Sequence, residues 1–244
     1  MIILAIDTCE RHCSAALVDI QTRAGQYQKC LAQASQDIGR GHAERLIPMI
    51  DELLAATGLG YGDIDRIGVT TGPGTFTGLR VGLSVARGLA LSLDIPCVGV
   101  TSLMVLAAQS DQPDQPDQPD QTVQVVQAGR FGPVHCVILG RGGQAFYQAF
   151  DMQAGLPVAQ ALPQGLYADE IQAKIQAQPG RMTGSGVSLL GVDMQTGAAA
   201  DAAIDPVTVA KLAFFLEPSD HRPDPTYFRQ ADAVVGKAAL PVGP

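Results

Sequence analysis

The chain has 244 residues, is 46% hydrophobic and 16% charged, and carries a net charge of −8. That composition excludes a disordered chain, and the acidic balance argues against autonomous nucleic-acid binding, which calls for a basic face. No apolar run reaches membrane-spanning length, and the start lacks the positive region of a signal peptide; five scattered cysteines (Cys9, Cys13, Cys30, Cys97, Cys136) suit buried thiols in a reducing cytoplasm better than a disulfide frame.

Residues 2–6 form a continuous apolar run, which predicts a strand buried on both faces and ending in Asp7-Thr8-Cys9. Residues 14–20 and 27–34 predict two more strands, joined by a turn over 22–26 into an antiparallel meander. Over His42–Thr57, apolar residues fall at Leu46, Ile47, Ile50, Leu53 and Leu54, one face of a helix that Gly58 and Gly60 stop. A strand over 66–71 leads into Thr71-Gly72-Pro73-Gly74-Thr75-Phe76-Thr77-Gly78-Leu79-Arg80-Val81-Gly82. A helix over 77–93, a strand over Cys97–Val100 and a helix over 102–109 follow. The order β-β-β-α-β-α-β-α is that of a ribonuclease H-like half, the unit duplicated in actin and sugar kinases.

Residues 111–121 repeat Asp-Gln-Pro. Proline at every third position forbids helix and interior strand, so this is a solvated loop. It divides the chain into a first half (1–110) and a smaller, degenerate second half (122–244). In the second half, strands are expected over 123–126, Val134–Leu139 and 144–150, with a short one over 181–185. Helices are expected over 167–176 and 206–216, the latter with proline at its start.

The glycine-rich turn admits two readings. A glycine turn at a helix start gathers N–H groups on an anion, and Thr75 or Thr77 can cap the helix. With Asp7, Thr8, Cys9, Gly72 and Gly74 it would form a nucleotide-proximal site, and an autonomous actin-like ATPase or kinase follows. It is not a Walker A loop, because no Gly-Lys-Ser/Thr is present. The second reading starts from Gly78, Gly82, Ala86 and Ala90, small residues at four-residue spacing on one helical face. They suit close approach of another helix, either the chain's own His42–Thr57 helix or a partner.

Metal and hydrolase chemistry find little support. A metal-binding helix would place a second histidine four residues after His42, and Leu46 stands there. Cys9-x-x-His12-Cys13 has the wrong spacing for a zinc knuckle and lacks a second cysteine pair. No Gly-x-Ser-x-Gly elbow occurs, and Gly184-Ser185-Gly186 reads as a turn.

These residues carry a resemblance. Ile6-Asp7-Thr8, His42 to Pro48, Gly72 to Gly82, Val100-Thr101-Ser102-Leu103 and Pro225-Thr226-Tyr227-Phe228-Arg229 are similar to the motifs of the bacterial TsaB (YeaZ) family. That family supplies the dimerisation subunit of tRNA threonylcarbamoyladenosine synthesis. The likeness is specific over residues 1–108 and returns at the C-terminus. It implies an actin-like (ASKHA) fold of two half-domains, each a mixed sheet flanked by helices. It implies a subunit without catalytic residues or metal that binds and activates a catalytic paralogue, TsaD, alongside a small ATPase, TsaE. Through these, tRNA is reached only in the complex, and self-association in isolation would use the same helices. It implies no cofactor on the chain alone, with ATP or ADP at the shared interface as the alternative. The interface expected is His42, Glu44, Leu46, Ile50 and Leu53 on one helix, with Thr75, Phe76, Gly78, Leu79, Arg80, Gly82, Leu83, Ala86 and Ala90 on the other. The sequence departs from the family where an acid is usual after a second-half strand: Leu139-Gly140-Arg141 keeps only the arginine. A glycoprotease-type peptidase, a label attached to this superfamily by similarity, is the remaining alternative.

Overall fold

A computed structural model describes residues 1–21, 28–110, 132–191 and 203–226. The expected strand over 123–126, the turn over 22–26, the Asp-Gln-Pro repeat and the closing motif from Tyr227 onward lie outside the described residues.

The first sheet contains β1 (Ile2–Asp7), β2 (His12–Ile20), β3 (Gln28–Asp37), β4 (Arg66–Thr70) and β5 (Cys97–Val100), in the order β3-β2-β1-β4-β5. The first three strands pair antiparallel, and β4 and β5 add in parallel. Helices α1 (His42–Thr57) and α2 (Phe76–Leu93) form the crossovers on either side of β4, and α3 (Ser102–Ser110) follows β5. The second sheet runs β10-β6-β7-β8, from β6 (Val134–Leu139), β7 (Ala145–Gln153), β8 (Leu156–Ala159) and β10 (Arg181–Thr183). β9 (Gln164–Leu166) pairs with β7 off that path. Two further helices lie among the described residues, α4 (Ala168–Ala177) and α5 (Pro206–Phe215).

Alternation along β1 builds two cores. Leu4 and Ile6 face Leu46, Ile50 and Leu53 of α1 and Leu79, Leu83 and Ala86 of α2. Ile3 and Ala5 belong to the opposite cluster, which continues through Leu103 and Leu106 of α3 and Val209 and Leu212 of α5 into Val134, Cys136, Ile138 and Phe150 of the second sheet. One continuous apolar layer therefore joins the two sheets. Helix α5 is last among the described elements yet packs on β1, β2 and β4 of the first sheet. Arg66 on β4 fixes its end, donating from Nη1 to the carbonyls of Ala213 at 2.8 Å and Phe214 at 3.2 Å.

Some boundaries differ from expectation. The strand expected from residue 14 already begins at His12, because its pairing with β3 extends to His12 opposite Asp37. The short strand expected over 181–185 stops at Thr183, and a 3₁₀ turn occupies Ser185–Leu190. β8 and β9 were not expected, each being too short to show alternation.

Candidate functional site

Asp7 ends β1 and is buried among its own neighbours. Its Oδ1 accepts from the Thr70 hydroxyl at 2.6 Å and from the Cys9 backbone N–H at 3.2 Å. The Cys9 thiol in turn donates to the Thr70 oxygen at 3.0 Å. Burial raises the Asp7 carboxyl above its ordinary range, against the opposing pull of the hydrogen bonds from Thr70 and Cys9. Burial also drives the Cys9 thiol upward, with Asp7 adding to the effect, so this thiol stays protonated and inert.

The glycine turn folds onto this carboxylate end of β1. Gly72 has φ +92°, and its carbonyl accepts from the Ser102 N–H at 2.8 Å. The space a side chain would take at Gly74 is filled by the Cys9 carbonyl, and at Gly78 by the Thr8 carbonyl. The glycines admit the chain's own backbone, and what they meet is carbonyl oxygen, which repels an anion. Asp7, Thr8, Cys9 and Gly72 are buried, and only Gly74 of the expected nucleotide-proximal set reaches the surface. Thr75 occupies the N-cap of α2 without a side-chain cap bond.

The small-residue stripe also turns inward. Gly82 lies against the Thr8 hydroxyl and Ile6, and Gly78 receives that hydroxyl on its carbonyl at 2.7 Å. At Gly78 and Gly82 the stripe seats α2 on the end of β1, and α2 packs on β4 and α1 as well. Leu46, Ile50, Leu53, Leu79, Leu83 and Ala86 are buried in the same cluster, and Ala90 packs against it half-buried. His42 is buried at the start of α1 and donates from Nε2 to the His12 carbonyl of β2 at 3.2 Å. These members of the expected interface set lie in or against the chain's own core. Of the expected set, Glu44, Thr75, Phe76 and Arg80 are exposed.

The exposed side of the two helices carries a different set. A shallow groove of about 420 Å³ is lined by Ala43 of α1 and Phe76, Thr77, Arg80, Val81, Ser84 and Val85 of α2. Phe76 is 55% exposed, and the Arg80 guanidinium stands 3.6 Å over its ring. Ile47, one turn along α1 from Ala43, is 37% exposed. Sequence reading missed Ala43, Thr77, Val81, Ser84 and Val85. Part of the signal was available, since on a helical wheel Thr77 and Ser84 lie opposite the Gly78–Gly82–Ala86 stripe.

In the second half, Ser185 accepts from the Leu139 N–H at 3.1 Å and donates to Glu10 Oε1 at 3.1 Å, tying the β1–β2 turn to the end of β6. Arg141 occupies the exposed β6–β7 turn. Among the described residues, no cluster of three His, Cys, Asp or Glu side chains is placed to hold a metal, and no helix is long and apolar enough to cross a membrane.

Comparison with known proteins adds the following. The family model described as TsaD, tRNA N6-adenosine threonylcarbamoyltransferase, matches residues 33–217. The tRNA threonylcarbamoyladenosine biosynthesis protein TsaB of Escherichia coli K12 is 38% identical over 107 residues, 44% of this chain and 43% of that protein. TsaB of Bacillus subtilis 168 is 38% identical over 108 residues, 44% of each chain. A tRNA N6-adenosine threonylcarbamoyltransferase of Pelobacter propionicus is 35% identical over 109 residues, covering 41% of this chain and 32% of that one. The chain thus spans less than half the length of these curated relatives. The solved structure of YeaZ from Pseudomonas aeruginosa superposes with a TM-score of 0.69 at 24% identity, over 93% of this chain and 99% of that one. The actin-like fold of two mixed sheets flanked by helices is thereby shown, and the resemblance to TsaB and YeaZ is borne out.

Proposed function

The chain belongs to the family defined by the tRNA N6-adenosine threonylcarbamoyltransferase model, and from that premise we propose that it is a non-catalytic subunit of tRNA threonylcarbamoyladenosine synthesis. In this reading it binds and activates a catalytic paralogue of the TsaD type in the cytoplasm. The TsaE-type ATPase and tRNA are engaged through that complex. Any nucleotide is held at the shared interface rather than at Asp7.

One observation carries the reading. Asp7, which an actin-like enzyme would turn toward its nucleotide, is 1% exposed and hydrogen-bonded to Thr70 and Cys9 of its own chain, while the outer face of α1 and α2 presents an apolar groove with a 55% exposed phenylalanine. A buried carboxylate end paired with an open apolar face suits docking better than turnover. The names of the relatives support the pathway: TsaB proteins are named for biosynthesis of the modified nucleoside. The family-model match, residues 33–217, includes both helices and the glycine turn.

Coexpression with the transferase paralogue tests it. Thr77→Arg and Ser84→Arg place a bulky cation at exposed positions of the groove, and each is expected to abolish copurification while leaving the melting temperature within a few degrees of wild type. Full copurification by both variants would sink the docking face. Gly82→Arg is unsuitable for this purpose, because its side chain would drive into Thr8 and unfold the chain.

A further inference from the structure

We propose that His135 is a proton-operated clasp that fastens α4 to the second sheet through Tyr147 and Gln178 and lets go on acidification. His135 lies on β6 and is 1% exposed. Its Nε2 is 2.9 Å from the Gln178 carbonyl, the C-cap of α4. A carbonyl only accepts, so Nε2 carries the ring proton. Nδ1 is then bare and accepts the Tyr147 hydroxyl at 2.7 Å. Both ring nitrogens are satisfied only in the neutral form and only in this tautomer.

A second proton on Nδ1 sets an N–H against the Tyr147 O–H. Tyr147 is 6% exposed, and its ring packs with Val137, Ile171 and Val187, so a hydroxyl hydrogen turned away from His135 meets an apolar cluster. The charged groups around the ring do not favour an imidazolium. Lys174 of α4 already stands 5.8 Å from the centre of the Tyr147 ring. Arg181 of β10 donates to the Ser110 carbonyl of α3. The carboxylates of α4, Asp169 and Glu170, sit at its other end, where Glu170 accepts from the Tyr167 N–H at 2.8 Å. Cys136, the neighbour on β6, points into the opposite core and stays a thiol. Burial accordingly lowers the affinity of His135 for a proton.

The clasp matters because α4 has few other anchors. Ile171 is its one fully buried residue, and Gln172 adds a bond to the Leu190 carbonyl at 2.9 Å. The sign follows from linkage. The unfolded chain takes up the proton near the ordinary histidine pKa of about 6.5, the folded chain only at lower pH, so stability falls as pH drops below that value.

The test uses the full chain and two variants. His135→Gln keeps a donor for Gln178 and an acceptor for Tyr147 but does not titrate. Between pH 7.5 and 5.5 the wild-type melting temperature is expected to fall more steeply than that of His135→Gln. In nuclear magnetic resonance, amide signals of residues 168–177 should shift with the midpoint of the His135 imidazole. Tyr147→Phe frees Nδ1 and should move that midpoint upward. This second variant decides the matter if His135→Gln fails to fold. Parallel pH profiles for wild type and His135→Gln, or a midpoint unmoved by Tyr147→Phe, would overturn the clasp.

Discussion

The Thr8 hydroxyl donates to the Gly78 carbonyl at 2.7 Å, and this one bond fixes how close α2 sits to the end of β1. Contact at that distance is open only to residues without side chains at 78 and 82. Gly78→Ala puts a methyl group on the Thr8 carbonyl, and Gly82→Ala puts one on the Thr8 hydroxyl. Each is expected to cost roughly 1–3 kcal/mol. The cost should be larger at Gly78, where the obstacle is backbone. Urea unfolding of the two variants checks the order.

Arg66 is expected to matter more than an ordinary surface arginine. Its guanidinium meets three carbonyls at the end of α5: Ala213, Phe214 and Leu216. Arg66→Ala leaves those helix-end carbonyls without their cation and should cost about 1.5–3 kcal/mol. Hydrogen exchange should show the loss first in the amides of α5. A change confined to β4 would count against the capping role.

Asp7 carries a pH signature opposite to that of a salt-bridged carboxylate. Its folded pKa is raised by burial, so the folded state holds the proton more tightly than the unfolded one. The stability tied to that proton is present below the ordinary aspartate value of about 3.8–3.9 and is lost as pH rises through the folded pKa. Asp7→Asn keeps an acceptor for Thr70 and Cys9 and removes the buried charge. Its melting temperature is expected to exceed that of wild type at pH 7, and the gap should close as pH falls toward 4. A variant less stable than wild type at pH 7 by the full cost of a broken network would show that the ionised form is needed.

The thiols should divide by burial. Cys30 is exposed on the edge strand β3 and is expected to react first with a thiol reagent under native conditions. Cys97 is half-buried, with its pKa pushed up to about 12, and should follow slowly. Cys9, Cys13 and Cys136 are buried, with Cys13 pushed up to about 11, and should react only on unfolding. Timed mass spectrometry of alkylated peptides gives the order.

Much of this fold was legible because burial leaves a period in the sequence. The apolar run at 2–6 marked a strand buried on both faces, and Leu46, Ile50, Leu53 and Leu54 marked the buried face of α1. The glycine stripe was legible as a flat helical face, but spacing does not say what lies against it. At Gly78 and Gly82 what lies against it is a strand end with a serviceable hydroxyl, Thr8. The glycine turn poses the same question. Glycines announce that something comes close, and here it is the carbonyls of Thr8 and Cys9, which only the folded chain brings there. The short strands β8 and β9 left no readable alternation, and the His135–Tyr147 pair joins residues that no local pattern connects.

The return of α5 to the first sheet has a consequence during synthesis. Ile3, Ala5, Ala16 and Val18 are made roughly 190 residues or more before Val209, Ala210, Leu212 and Ala213, which cover them, as that many positions separate them in the sequence. A ribosome that has translated only through β5 and α3 has made a complete five-stranded sheet with one face still wet. Such a nascent sheet is a natural client for a holdase until α5 arrives. A fragment ending at Ser110 is accordingly expected to aggregate, and supplying residues 203–216 as a separate peptide should rescue part of its solubility.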